Sequence, residues 1–166
     1  SALVLYQKAV STNNGSALEG LLTRFPGFGE AHYHLGDLAL KRGFLLEAEK
    51  QLLAARPAVP DSPHIPMLLA GIRFAMEEFE DSLVLYDETL AMSPEYRDAM
   101  LGKAISLGYL GRHDEAIAGL QRILDLGYWL IGESNYWIAW NLREKGVREG
   151  ALEHAEEAMK RLPTDA

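Results

Sequence analysis

The chain has 166 residues, 48% of them hydrophobic and 24% charged, and no cysteine. That composition is an ordinary folded domain's and excludes disorder, a disulfide scaffold and a zinc-cysteine site. Its 24 acids outweigh 16 bases for a net charge of −8, which disfavours nucleic acid or an anionic membrane as a broad partner.

The first residues, Ser1-Ala-Leu-Val-Leu-Tyr6, lack an initiating Met and the basic and long apolar regions of a signal peptide. The N-terminus therefore reads as processed or trimmed. No apolar run reaches the roughly 18 to 20 residues that span a bilayer, so no membrane insertion is expected. A cysteine-free chain suits cytoplasm or periplasm equally, and the compartment stays open.

Apolar periodicity and helix breakers predict helices throughout. Leu3, Leu5 and Tyr6 begin a first helix, and Ser11-Thr-Asn-Asn-Gly-Ser16 makes a loop. Leu18, Leu21, Leu22 and Phe25 then share one side of a second helix. Further helices are expected near 29–42, 45–56, 65–76, 79–92, 95–110, 113–126, 132–145 and 148–162. The last, rich in Glu, Lys and Arg, suits a solvated end cap.

The prolines carry a period. Pro26, Pro60 and Pro94 are 34 apart (60 − 26 and 94 − 60). The next step falls on Tyr128, and Pro163 lies 69 beyond Pro94, twice 34 plus one. Stepping by 34, and by 35 across that insertion, gives the small column Gly36, Ala70, Ala104 and Ala139. A second small column is Ala48, Ser82, Ala116 and Ala151. Helix pairs pack closely where small residues let their axes approach. Leu52, Tyr86, Leu120 and Ala155 form an apolar column, with Ala55, Thr89, Ile123 and Ala158 three residues further on. Gly43, Glu77, Gly111 and Gly146 fall between helices and supply the turn.

These columns resemble the tetratricopeptide repeat family, whose pattern has Leu-Gly in the first helix, Ala and an aromatic in the second, and Pro at the end. Leu35-Gly36, Ala48, Leu52 and Pro60 follow it, and Gly43-Phe-Leu-Leu-Glu-Ala48 and Gly111-Arg-His-Asp-Glu-Ala116 resemble the family's entry into its second helix. The early aromatic position departs, holding His32, Pro66, Met100 and Asn135, and Lys103 replaces a Leu. The resemblance implies one all-α domain over residues 1–166, a right-handed solenoid of antiparallel helix pairs. Its parts are a degenerate pair at 1–28 and repeats at 29–62, 63–96, 97–130 and 132–165.

By the family's geometry, the first helix of each pair lines a concave groove. The residues placed there are Tyr33, Asp37, Met67, Phe74, Leu101, Ile105, Tyr109, Tyr136, Trp137 and Trp140. Aromatic side chains anchor peptides and helices, but they also pack cores, so Trp137 and Trp140 suit either setting. Glu30, Asp37, Asp98 and Glu133 rim this face and together favour a neutral or basic protein or peptide. Chaperone-binding members grip a C-terminal carboxylate with Lys, Arg and Asn here. Tyr33, Asp37, Leu68, Asp98 and Gly102 stand at those positions, so a heat-shock-protein tail is not the expected ligand.

Pro57, Pro60, Pro63 and Pro66, at period three, suit a PxxP ligand of an SH3-like domain. They also suit a stiff junction between helices ending near Arg56 and starting near Ile65. The junction is favoured, because a turn is needed there.

Catalysis is not expected. Walker, GxGxxG, GxSxG and HExxH motifs are missing. His32 and His34 point about 200° apart on a helix and cannot share a metal. The Glu77-Glu78 and Glu156-Glu157 carboxylates likewise diverge. No cofactor and no metal are expected. The resemblance implies a non-catalytic interaction scaffold. The alternatives are a self-associating, homo-oligomeric assembly factor and a recognition region excised from a larger enzyme or regulator.

Overall fold

A computed structural model describes residues 1–12, 14–127 and 130–161. Tyr128 and Pro163, two of the positions that carry the proline phase, lie outside the described residues. Among the described residues the chain is ten α-helices with no strand. It divides into two compact units, Ser1–Ile72 and Arg73–Ala166.

The first unit holds α1 (Ala2–Ser11), α2 (Gly15–Arg24), α3 (Gly29–Lys41), α4 (Leu45–Ala55) and most of α5 (His64–Ala75). The Asn14 side chain starts α2 by accepting from the Ala17 amide at 3.0 Å, satisfying an amide that the helix leaves unpaired. Leu18 and Leu21 of α2 are buried with Ala9, Ala31, Leu35 and Leu38, and Leu22 packs beside them. Phe25, grouped with these leucines by spacing, instead caps the helix and is 37% exposed. The small column is explained at Gly36, where a Cβ would lie 2.9 Å from Leu52 Cγ of α4. Between α4 and α5 the chain makes a 3-10 turn at Arg56–Ala58. That segment is a junction, and Pro66 sits in the first turn of α5, where its missing N–H costs little.

The second unit holds α6 (Phe79–Met92), α7 (Arg97–Tyr109), α8 (His113–Asp125), α9 (Ile131–Glu144) and α10 (Arg148–Arg161). Its larger core joins Met100 and Ala104 of α7, Leu120 and Ile123 of α8, and Ile138 of α9. Each such fully buried aliphatic side chain stabilises the fold by about 1.5–3 kcal/mol before entropy is charged. Ser82 and Ser106 occupy small positions on α6 and α7, and their hydroxyls hydrogen-bond at 2.8 Å inside the packing.

The turn column has one physical meaning in all four copies. Gly43, Glu77, Gly111 and Gly146 have φ of 76°, 61°, 74° and 78°. The residue after each donates its amide back to the preceding helix: Phe44 to Ala39, Glu78 to Arg73, Arg112 to Leu107 and Val147 to Leu142, each at 2.9 Å. This left-handed cap reverses the chain and satisfies a free carbonyl. Glycine adopts it freely, whereas Glu77 carries the cost of its Cβ.

Candidate functional site

The ten residues placed on the groove by sequence fall in both units. Tyr33, Asp37 and Met67 belong to the first. All three are partly buried, and the Asp37 carboxylate is held by Lys41 one turn on, at 2.6 Å. Tyr33 lies near Tyr6, whose phenol is pushed up by burial and by the neighbouring Glu30 and Tyr33.

Phe74, Leu101, Ile105, Tyr109, Tyr136, Trp137 and Trp140 belong to the second unit. There the rings gather. Tyr109 at the end of α7 meets Phe74 at 5.7 Å between centroids, Trp137 at 5.9 Å and Trp140 at 5.4 Å. Trp137 meets Trp140 at 5.6 Å and Tyr136 at 5.2 Å, both edge to face. These are the offsets that an aromatic quadrupole favours. Tyr109 and Tyr136 remain about half exposed, at 48% and 49%. Leu101 and Trp137 pack partly against the core of Met100, Leu120 and Ile138. Trp137 is thus core on one side and ring cluster on the other.

Phe79 completes the cluster and was missed by sequence. It lies at the start of α6, a second helix, whereas the groove reading took first helices only. Its ring stacks on Tyr109 at 4.8 Å with 5° between planes. The signal lay in its column: Leu45, Phe79, His113 and Arg148 each open or adjoin the start of a second helix. His113 also reaches the cluster, its ring 6.0 Å from Trp140.

Three of the five histidines tie helices together. His32 Nδ1 is 2.7 Å from Gln51 Oε1, joining α3 to α4, and His154 Nδ1 is 2.6 Å from Asn135 Oδ1, joining α10 to α9. His32 and Asn135 stand in one column, and Gln51 and His154 in another. The first and fourth repeats therefore bridge the same two positions with the partners exchanged, at the place where the family carries an early aromatic. His113 Nδ1 contacts Asn141 Oδ1 at 2.9 Å, linking α8 to α9. The Asn141 amide group donates to the Trp137 carbonyl at 2.8 Å. That bond orients Asn141 and fixes the turn of α9 that bears both Trp137 and Trp140. Among the described residues no group of three His, Asp or Glu is placed to hold a metal ion.

The charges around the rings are uneven. Arg73 and Glu78 pair at 2.5 Å beside Phe74 and Phe79, and Lys145 pairs with Asp114. Glu133 lies one turn before Tyr136 and Trp137, partly buried. No helix among the described residues is long and apolar enough to cross a membrane.

Residues 16–63 and 68–127 match the sequence profile of the tetratricopeptide repeat. No curated protein matches the chain. A crystal structure of MamA superposes with a TM-score of 0.83 at 18% identity, covering 96% of this chain and 89% of that one. A MamA structure labelled MSR-1 gives 0.81 at 21% identity over 96% and 95%. YrrB, a TPR protein with an unusual peptide-binding site, gives 0.80 at 18% identity over 99% and 84%. At these identities the likeness is one of fold, the all-α solenoid of helix pairs that the repeat columns imply.

Proposed function

Because the chain belongs to the tetratricopeptide repeat family, we propose that it is a non-catalytic interaction module that holds a peptide or partner helix against the face of its first helices. The observation that carries this reading is the ring cluster of Phe74, Phe79, Tyr109, Tyr136, Trp137 and Trp140, whose members touch one another while Tyr109 and Tyr136 stay half in water. Rings already ordered by their neighbours lose little freedom when a partner arrives, which is what a binding hot spot needs. Leu101 and Ile105 of the same unit are the further contacts on this reading. The Glu133 and Asp98 carboxylates favour a neutral or basic partner, whose Lys or Arg would also gain from an aromatic face. The fold likeness to YrrB, a TPR protein with an unusual peptide-binding site, supports a peptide as occupant.

The test is selection from a random peptide display library on the intact chain, followed by the Tyr109→Ala/Trp137→Ala variant. Enriched peptides should combine aromatic or aliphatic residues with Lys or Arg and lose about tenfold or more in affinity for the variant. Circular dichroism should show its helicity kept. Acidic consensus peptides, or equal binding to a folded variant, would refute the proposal.

A further inference from the structure

Among the described residues, the second unit contains the same helix seat twice, once filled and once open. Helix α9 packs on the pair α7 and α8, touching Ala104, Leu120 and Ile123, which are 0–1% exposed. One repeat later, 35 residues on, stand Ala139, Ala155 and Ala158. These residues line an open groove of about 1000 Å³ between α9 and α10. The correspondence extends to the rim: Ile117 and Leu124, packed against the α9 core, become Leu152 and Met159. These two are 65% and 73% exposed and line the groove. A surface whose repeat equivalent receives a helix has the shape to receive one.

Four changes between the copies describe the occupant. Leu120 and Ile123 become Ala155 and Ala158, so the floor is lower and larger apolar side chains are needed to fill it. Gly108 and His113 become Arg143 and Arg148. In the filled seat these positions face Asn141 of the incoming helix: His113 Nδ1 is 2.9 Å from its Oδ1, and a Cβ on Gly108 would lie 2.8 Å from the same oxygen. An occupant of the open seat therefore presents its equivalent residue to two guanidiniums, which a carboxylate suits best. Among the described residues the groove lining holds these two arginines and no acid; Arg143 pairs at 2.9 Å with Glu144 outside that lining, an exposed pair that an incoming carboxylate can join.

We infer that the α9–α10 groove docks an amphipathic α-helix of another protein, with large apolar side chains on one stripe and an Asp or Glu opposite Arg143 and Arg148. The exposed apolar N-terminal helix of a second copy is disfavoured by charge. Helix α1, with Leu3, Val4 and Leu5 exposed, carries Lys8 and no acid, and would bring a cation to the arginines. This inference does not rest on the ring-cluster reading. Tyr136 and Trp140 adjoin both surfaces, but Tyr109 lies outside the groove.

The test uses the whole chain and a synthetic 14-residue helix, the length of α9. The probe has Leu at i, i+4 and i+8, Glu at i+7, the spacing of Asn141 from Ser134, and neutral polar residues elsewhere. Fluorescence anisotropy should show saturable binding, roughly tenfold weaker when the Glu is made Lys. Arg143→Glu/Arg148→Glu should reverse that preference, Leu152→Asp should remove binding, and Leu46→Ala, at an exposed apolar residue of α4, should leave it unchanged. Equal binding of the Glu and Lys peptides, no saturation, or loss on Leu46→Ala would each overturn the inference. So would sedimentation showing a dimer of the free chain that Leu152→Asp dissolves, because the occupant would then be a second copy.

Discussion

Tyr86 and Tyr109 sit on successive helices of one unit and do opposite things. Tyr86, on α6, is 4% exposed, and Tyr109, at the end of α7, is 48% exposed. Opposite Tyr86 stands Gly102, where a Cβ would lie 2.3 Å from the ring's Cζ. The missing side chain is the space the phenol occupies. Opposite Tyr109 stand other rings, Phe79 stacked at 4.8 Å and Trp140 at 5.4 Å. A ring closed over by a small residue becomes core, whereas rings meeting rings leave edges and faces in water. Whether an aromatic in this repeat packs or binds is decided by its neighbour across the helix joint.

The largest effect should come from emptying the closed joint. Tyr86→Ala should cost about 3–5 kcal/mol, because the buried volume is lost and Gly102 cannot refill it. Urea unfolding checks this, and a cost below about 1 kcal/mol would show that the joint repacks and is not closed as described. The next effect is one of pH. Burial, and secondarily the nearby Asp98 charge, pushes the Tyr86 phenol up to about 12 from an ordinary value of 10.0. The folded chain thus holds this proton more tightly than the unfolded one. The stability it brings is complete below pH 10 and is lost as pH rises through 12, about 3 kcal/mol in all. Tyr86→Phe should flatten that alkaline limb in unfolding curves taken from pH 9 to 12. A smaller change attacks the joint from the other side. Gly102→Ala pushes a methyl into the ring and should cost about 1–2 kcal/mol, seen as a lower Tm with unchanged helicity.

Much of the fold was legible because its punctuation is local. Expected helices at 29–42, 79–92 and 113–126 correspond to Gly29–Lys41, Phe79–Met92 and His113–Asp125. Glycines at 43, 111 and 146 mark left-handed caps that any reader of turn chemistry recognises. Even Glu77, which breaks that rule by type, was placed by its column. The site was less legible because a column gives a residue's face and not what stands across from it. Spacing put Tyr109 and Trp140 on one face but gave no reason to bring Phe79 from a second helix to stack there. The exchange of His32–Gln51 for Asn135–His154 was hidden too. Each pair joins residues 19 apart on two helices, and neither member alone looks unusual. The difference between Leu120 and Ala155 was visible in the apolar column, but its meaning needed the filled seat beside the open one.

The smallest stability effect should come from the open tyrosine, and it bears hardest on the comparison. Tyr109→Ala removes a ring that is half in water, so the lost burial is shallow and no sealed cavity forms. What is lost is edge and stacking contact with Phe79, Trp137 and Trp140, each about 0.5–1.5 kcal/mol when fully formed. Those three rings can close on one another once the fourth is gone, which returns part of that sum. Unfolding should therefore shift by no more than about 1 kcal/mol, well under the cost of Tyr86→Ala. Near-ultraviolet circular dichroism should change clearly, because Trp137 and Trp140 lose a neighbour that fixes their orientation. Equal destabilisation by the two alanine substitutions would mean that the ring cluster is core like the Gly102 joint and is no open face. A small loss with a large spectral change would show rings ordered by one another and free to meet a partner.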